Sequence, residues 1–162
     1  MTVQDRKFLA DRMLGKLAKY LVMLGKNTAY FTGSDPAQLI DLAHMEGRTI
    51  LTRNRTLIGK SYRGADYLFI SDDKLGQQLR QVLNHFGLEI KEPEFFTRCL
   101  RCNHELSKIS PGDVKHKVPN YVVETQQDFS VCFECKRVYW RGTHHKRMEE
   151  MLRKLLAGDD KK

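Results

Sequence analysis

Two matched cysteine pairs, Cys99-x-x-Cys102 and Cys132-x-x-Cys135, constrain the fold of this chain more than any other feature. Each pair sets two thiolates on one tight turn, and two such turns complete a tetrahedral zinc site. The 29 residues between the pairs exceed the usual ribbon spacing, so the pattern predicts an enlarged zinc ribbon. Two reactive dithiols or two disulfides are the competing readings. An x-x spacing suits a structural disulfide poorly, and nothing in the chain indicates an oxidising compartment. A four-sulfur site is closed: the metal holds the fold, no coordination position stays open, and no thiol is left for a nucleophile. His104, two residues past Cys102, is then unneeded as a ligand. Catalysis has to be sought elsewhere.

At 162 residues, 41% hydrophobic and 30% charged, the chain has enough apolar material for one core with a metal-stapled module beside it. The opening stretch MTVQDRKFLADR is charged early and carries no long apolar run, unlike a signal peptide. No run approaches the ~18 apolar residues of a bilayer span, so no membrane partner is expected and the cytoplasm is the expected location. The net charge is +8, with 14 Lys and Arg against 11 Asp and Glu up to residue 94 and 14 against 9 beyond it. That excess, greater in the cysteine half, favours a polyanionic partner, because each neutralised phosphate releases counterions. Solubility alone accounts for it equally well.

Before the cysteines, short apolar runs alternate with helical patterns. Residues 7–10 read as a buried strand. Leu14, Leu17, Ala18, Leu21 and Leu24 follow the helix period, with Lys16, Lys19 and Lys26 mostly off that stripe and Gly25 as a stop. Residues 28–31 are a second strand. Asp35-Pro36-Ala37-Gln38 combines an Asp cap, a proline at the first helical position and a Gln three residues after the cap, which predicts a helix ending at Gly47. Residues 49–52 and 67–70 are strands, and 74–86 a helix. Strands separated by single helices indicate an α/β fold with a parallel sheet flanked by helices.

Residues 87–95, with Pro93 and few core candidates, read as a linker. Beyond it, 121–125 and 137–140 are strand-like, as a small β-rich zinc ribbon requires. Met148, Met151, Leu152 and Leu155 mark a C-terminal helix beginning at Thr143, and the final GDDKK is a frayed tail. The expected division is 1–94 for the α/β domain, 95–142 for the ribbon and 143–162 for the helix and tail.

Ligands of a parallel α/β sheet gather at the carboxyl ends of its strands. Asp11 follows the first strand, Asp35 the second, Asn54 the third, and Asp72 with Asp73 the fourth. Converging carboxylates suit Mg2+ or Mn2+, which prefer oxygen ligands, activate water and offset phosphate charge. Arg53 and Arg55 flank the same edge and suit phosphate. Each residue also has a plainer role: Asp35 is accounted for as a helix cap, Asp72 or Asp73 can cap the following helix, and so can Asp11. His144 and His145 are either an RNA contact or a solvated helix start. Tyr139 and Trp140 either stack bases or pack over the cysteine turns.

The run Phe8-Leu9-Ala10-Asp11-Arg12-Met13-Leu14-Gly15-Lys16-Leu17-Ala18-Lys19-Tyr20-Leu21 resembles the opening of the Mut-seven C-terminal ribonuclease domain family. Residues 47–55, Gly47-Arg48-Thr49-Ile50-Leu51-Thr52-Arg53-Asn54-Arg55, resemble its second signature. Arg98-Cys99-Leu100-Arg101-Cys102-Asn103, then Val118-Pro119, Tyr121, Cys132 to Cys135 and Val138-Tyr139-Trp140-Arg141-Gly142-Thr143-His144, resemble its zinc ribbon. The similarity runs from about residue 8 to 148. It implies a PIN-like nuclease domain followed by a structural zinc ribbon, and metal-dependent RNA cleavage by water attacking a phosphodiester in line. In such enzymes the acids matching Asp11, Asp35 and position 54 share the divalent ions. This chain carries Asn54 where many relatives carry Asp, so one negative charge is missing, with Asp72 and Asp73 as auxiliary acids. Lys16, Arg53, Arg55, Arg141 and His144 are the expected RNA contacts. An RNA-binding adaptor with a decayed site is the alternative, and phosphate contacts leave DNA open as a substrate. Neither the particular RNA nor the oligomeric state is written in the residues.

Overall fold

Phe8, Leu9 and Ala10 are all inaccessible to solvent, so the first strand, β1 (Lys7–Ala10), is buried on both faces. A parallel sheet achieves this only with helices on each side. The computed structural model describes residues 3–58 and 64–158 and has that architecture. β1, β2 (Thr28–Tyr30), β3 (Arg48–Thr52) and β4 (Tyr67–Phe69) form a parallel sheet in the order β2-β1-β3-β4. Alternation along β1 assigns the layers. Phe8 and Ala10 enter a cluster with Leu17 and Leu21 of α1 (Gly15–Met23) and Leu79 and Val82 of α4 (Leu75–Phe86). Leu9 enters a second cluster with Ile50 and with Leu39 and Ala43 of α2 (Pro36–Glu46). A single turn, α3 (Arg55–Ile58), follows β3.

Gly25 ends α1 for two reasons. Its φ is +79°, and a Cβ there would lie 2.5 Å from the Glu94 carbonyl oxygen. That close approach shows that residues 87–95 are no linker. Leu88 and Phe95 are buried in the main core, and Lys26, expected off the helix stripe, is 4% exposed with its Nζ 3.0 Å from Glu94 Oε2. The signal was thin: two apolar residues without a period, and a lysine whose partner lies 68 residues on.

Past the segment comes a three-stranded antiparallel sheet, β5 (Ser107–Ile109), β6 (Phe129–Val131) and β7 (Val138–Trp140), in that order. Residues 121–125, expected as a strand, lie instead in a helix, α5 (Asn120–Thr125). The β-branched Val122 and Val123 favour a strand only in a pleated, half-buried setting. Here Val122 is buried in one cluster with Val114, Val118 and Phe129, so packing against residues outside its own segment overrides propensity.

The last helix, α6 (Thr143–Ala157), returns to the first sheet. Leu152 is fully buried in the main core, and Arg80 Nη1 donates to the Leu155 carbonyl at 2.7 Å. Leu152→Ala is expected to cost about 2–5 kcal/mol and to lower the melting temperature by roughly 5–15 °C. A thermal unfolding curve unmoved by that change would mean that α6 is not docked. Residues 159–162 of the expected tail lie outside the described residues. Among the described residues no helix is long and apolar enough to cross a membrane.

Candidate active site and metal centre

The order β2-β1-β3-β4 places β1 between the strands that follow it, so the direction in which strands are added to the sheet reverses at the β1–β3 seam. Side chains leaving those two carboxyl ends meet in a crevice. Asp11 leaves β1 there, its backbone N–H extending the ladder to the Leu51 carbonyl at 3.0 Å. Although charged, Asp11 is only 5% exposed. Its Oδ1 accepts from Met13 N at 2.9 Å, and its Oδ2 accepts from the Thr52 hydroxyl and from Arg53 N at 3.3 Å. A carboxylate has about four acceptor sites, so these three donors leave one. The Asp11 turn is held from the other strand: Tyr30 Oη donates to the Arg12 carbonyl at 2.9 Å, and its ring lies so close that a Cβ on Gly15 would sit 3.1 Å away.

Asp11, Asp35 and Asn54 line one cleft of about 110 Å3, together with Arg12, Met13 and Phe31. Asp35 caps α2 as expected, with Oδ1 accepting from Ala37 N at 2.9 Å. Its Oδ2 has no protein partner among the described residues. Capping and ligation are thus compatible for Asp35. Asn54 differs: its Oδ1 accepts from both Thr56 N at 3.0 Å and the Thr56 hydroxyl at 2.7 Å. Both lone pairs of the amide oxygen are thereby committed to its own turn.

Asp72 and Asp73 are not among the residues lining the cleft. They do not cap α4 either, since its N-cap is Lys74 without a side-chain bond. They hold Arg53, whose guanidinium donates to the Asp72 carbonyl and pairs with the Asp73 carboxylate. Arg55 lies over the Phe69 ring, 5.9 Å from its centroid. Lys16, Arg141 and His144 are exposed. His145 is half-buried, its ring 4.2 Å from that of Phe96, where burial and the nearby Arg141 hold its pKa below the usual imidazole range. Two contributors escaped the sequence reading. Thr52, fully buried, donates to Asp11 and accepts from Asn54 N at 3.0 Å, so one hydroxyl ties the two residues together. A threonine closing the strand after Ile50 and Leu51 was its only signal. Arg12, the second, is exposed and lines the cleft.

The four cysteines form the second site. Their Sγ atoms lie within 4.8 Å of one another, with Cys99–Cys135 at 3.5 Å and Cys102–Cys132 at 3.4 Å. A tetrahedral zinc with Zn–S near 2.3 Å needs sulfurs roughly 3.8 Å apart, whereas a disulfide needs about 2.05 Å. The four free thiols therefore fit a metal such as zinc. The two turns match in detail. The Cys99 carbonyl accepts from Asn103 N and the Cys132 carbonyl from Lys136 N, both at 2.8 Å, and Asn103 and Lys136 both have positive φ, 65° and 63°. Burial pushes the Cys99 thiol up, but the Tyr139 hydroxyl and the amides of Cys102 and Arg101 bring it down to about 6. Burial drives Cys102 up to about 12, the sulfurs of Cys132, Cys99 and Cys135 adding to it. Tyr139 is raised by burial and by its bond to Cys99, and it also accepts from Leu100 N, so it packs over the turns instead of facing solvent. Trp140 joins the small ribbon core.

A parallel α/β sheet with an acidic crevice at its switch point, joined to a four-cysteine metal site on an antiparallel ribbon, defines the class of protein. A family model described as the Mut7-C RNAse domain matches residues 6–152. The chain belongs to that family. It is also similar to a human protein described as an exonuclease mut-7 homolog, 32% identical over 101 residues that make up 60% of this chain and 12% of that protein. The chain therefore spans only a small part of that relative's length.

Proposed function

We propose that this chain is a PIN-like, divalent-metal-dependent ribonuclease that hydrolyses RNA phosphodiesters, with a structural zinc in its ribbon. The observation that carries the reading is the convergence of Asp11 and Asp35 on one cleft at the β1–β3 seam, in a chain of a ribonuclease-domain family. The cleft suits Mg2+ or Mn2+, because such ions are often held by one or two carboxylates, with substrate phosphate and water filling the remaining positions. When bound, the ion would lower the pKa of its water and offset charge on the phosphate. Asp11 holds its carboxylate still through Thr52, Met13 and Arg53. Asp35 offers an oxygen that its cap bond leaves free. Arg12 lines the cleft and can grip the scissile phosphate, with Arg53, Arg55, Lys16, Arg141 and His144 as contacts outside it. The test is cleavage of a structured and an unstructured RNA with Mg2+ or Mn2+. Cutting that requires the ion is expected; no cutting in either ion, with RNA still bound, would overturn it. Since the human relative's description says exonuclease, end-labelled substrates should yield a ladder shortening from one end.

A second reading is a catalytically silent RNA-binding adaptor, favoured by one observation: the Asn54 amide oxygen is spent on Thr56. Asn54→Asp separates the two. It restores a charge to the cleft, and each 1.4 kcal/mol of added metal binding is tenfold in affinity. A rise in cleavage of about tenfold at limiting Mg2+ is expected. An Asn54→Asp protein that stays inert while binding RNA would favour the adaptor.

A further inference from the structure

A second groove lies away from the acids. It occupies about 540 Å3 at the amino ends of β2 and β3, where the first cysteine turn docks on the sheet, and Asn27, Arg48, Arg98, Asn103, His104 and Phe133 line it. β3 spans the gap between the two sites, with Arg48 at one end and Thr52 at the other, roughly 13 Å apart at strand rise. The volume falls in the range of small-molecule and nucleotide pockets.

Phe133, between two cysteines of the metal site, is 63% exposed and belongs to no apolar cluster. An aromatic left in water beside polar groups is a stacking platform. Arg48 spends its Nε on Glu46 and both hydrogens of Nη1 on the Phe8 carbonyl at 3.1 Å and Asn27 Oδ1 at 2.8 Å. Its Nη2 donates to nothing among the described residues. Arg98 spends three of its five donors, on the Gly25 and Asn103 carbonyls and on Glu105. Each guanidinium has one carboxylate partner, Glu46 for Arg48 and Glu105 for Arg98, and keeps donors beyond it. Glu105 and Glu134 add acceptors and the Asn27 amide N–H2 adds donors along the same wall, the Asn27 oxygen being taken by Arg48 and Asn103. Such a mixture matches the edge of a base better than a bare phosphate track.

We propose that this groove is a subsite for one nucleotide of single-stranded RNA, its base stacked on Phe133 and its phosphate against Arg48 and Arg98. The inference rests on RNA being the ligand of this chain. It deepens that reading by adding a contact at the end of the sheet opposite the acidic cleft.

The test is anisotropy of a fluorescein-labelled uridine decamer with the zinc-loaded protein and no added Mg2+ or Mn2+. Phe133→Ala is expected to weaken binding about tenfold, within the range for one lost base stack. Phe133→Trp should restore it, with indole emission quenched by unlabelled decamer beyond any change in wild type, and Phe133→Leu should not. Zinc content and melting temperature should match wild type in all three. Binding by Phe133→Ala within about twofold of wild type, or rescue by Leu as good as by Trp, would overturn the subsite. A thymidine decamer bound equally well, and equally weakened by Phe133→Ala, would overturn RNA as the occupant. The outcome is independent of cleavage. A chain that binds through Phe133 yet cuts nothing keeps the subsite and loses the nuclease, and one that cuts RNA with Phe133 irrelevant to binding does the reverse.

Discussion

Asp11→Asn is expected to lower RNA cleavage by at least about a hundredfold, beyond the 10–100-fold typical of a group that only orients a metal ligand. The reason is position. Asp11 is the buried acid of the cleft, and three donors hold its carboxylate toward the β1–β3 seam. The amide keeps the shape but turns an N–H2 or a weaker acceptor toward the Thr52 hydroxyl and Arg53 N–H. A mismatched buried hydrogen bond costs about 1–3 kcal/mol, so a modest drop in melting temperature should accompany the loss. Melting temperature and zinc content measured beside the rate separate the two effects. Asp73→Asn is the informative control, because Asp73 pairs with Arg53 and does not line the cleft. It should leave the rate within a few-fold of wild type. Equal losses at Asp11 and Asp73 would move the metal away from the cleft; undiminished cleavage by Asp11→Asn would remove Asp11 from the chemistry.

Cys132→Ser should abolish zinc binding by the proposed four-cysteine site and unfold the ribbon. Structural zinc sites contribute about 10–16 kcal/mol of apparent binding free energy in small modules. The ribbon has little to replace it, since its fully buried apolar cluster consists of Val114, Val118, Val122 and Phe129. Metal analysis should fall from one zinc per chain toward none, and the near-ultraviolet dichroism of Tyr139 and Trp140 should collapse. Hydrogen exchange should accelerate throughout the ribbon and at the amino end of β2, because Asn103 Oδ1 accepts from Thr28 N at 3.1 Å and Asn103 Nδ2 donates to Asn27 at 2.8 Å. The carboxyl ends of β1 and β3, packed in their own clusters, should stay protected. A Cys132→Ser protein that keeps one zinc and native exchange would mean that a fifth group takes the vacated place.

The residues that declared themselves in the sequence share one property: their signal is local. The apolar run of β1, the stripe of α1 and the Asp35-Pro36 start of α2 each lie within a few residues, and all three elements formed where expected. The cysteine pairs are likewise read from spacing alone, since a metal site needs the right atoms at the right interval. Misreadings arose where the deciding partner is far along the chain. Val122 and Val123 look like a strand until Phe129 supplies a surface for a helix. Lys26 looks solvated until Glu94 reaches it. Leu88 and Phe95 show no period because they fill gaps in a core built by other elements.

The candidate active site divides the same way. Residue type and placement after strands nominated Asp11, Asp35, Asn54, Asp72 and Asp73 together, because strand ends are local features. Only the tertiary structure separates them. Strand order decides which carboxyl ends adjoin, and β1 beside β3 joins Asp11 to the Thr52–Asn54 turn while the turn after β4 engages Arg53. The free oxygen of Asp35 and the spent oxygen of Asn54 are differences of hydrogen bonding between side chains of nearly equal shape. Sequence therefore determined which chemical groups exist, how they are spaced and which elements carry them. The tertiary structure decided which of them meet, because convergence depends on strand pairing and burial between residues tens of positions apart.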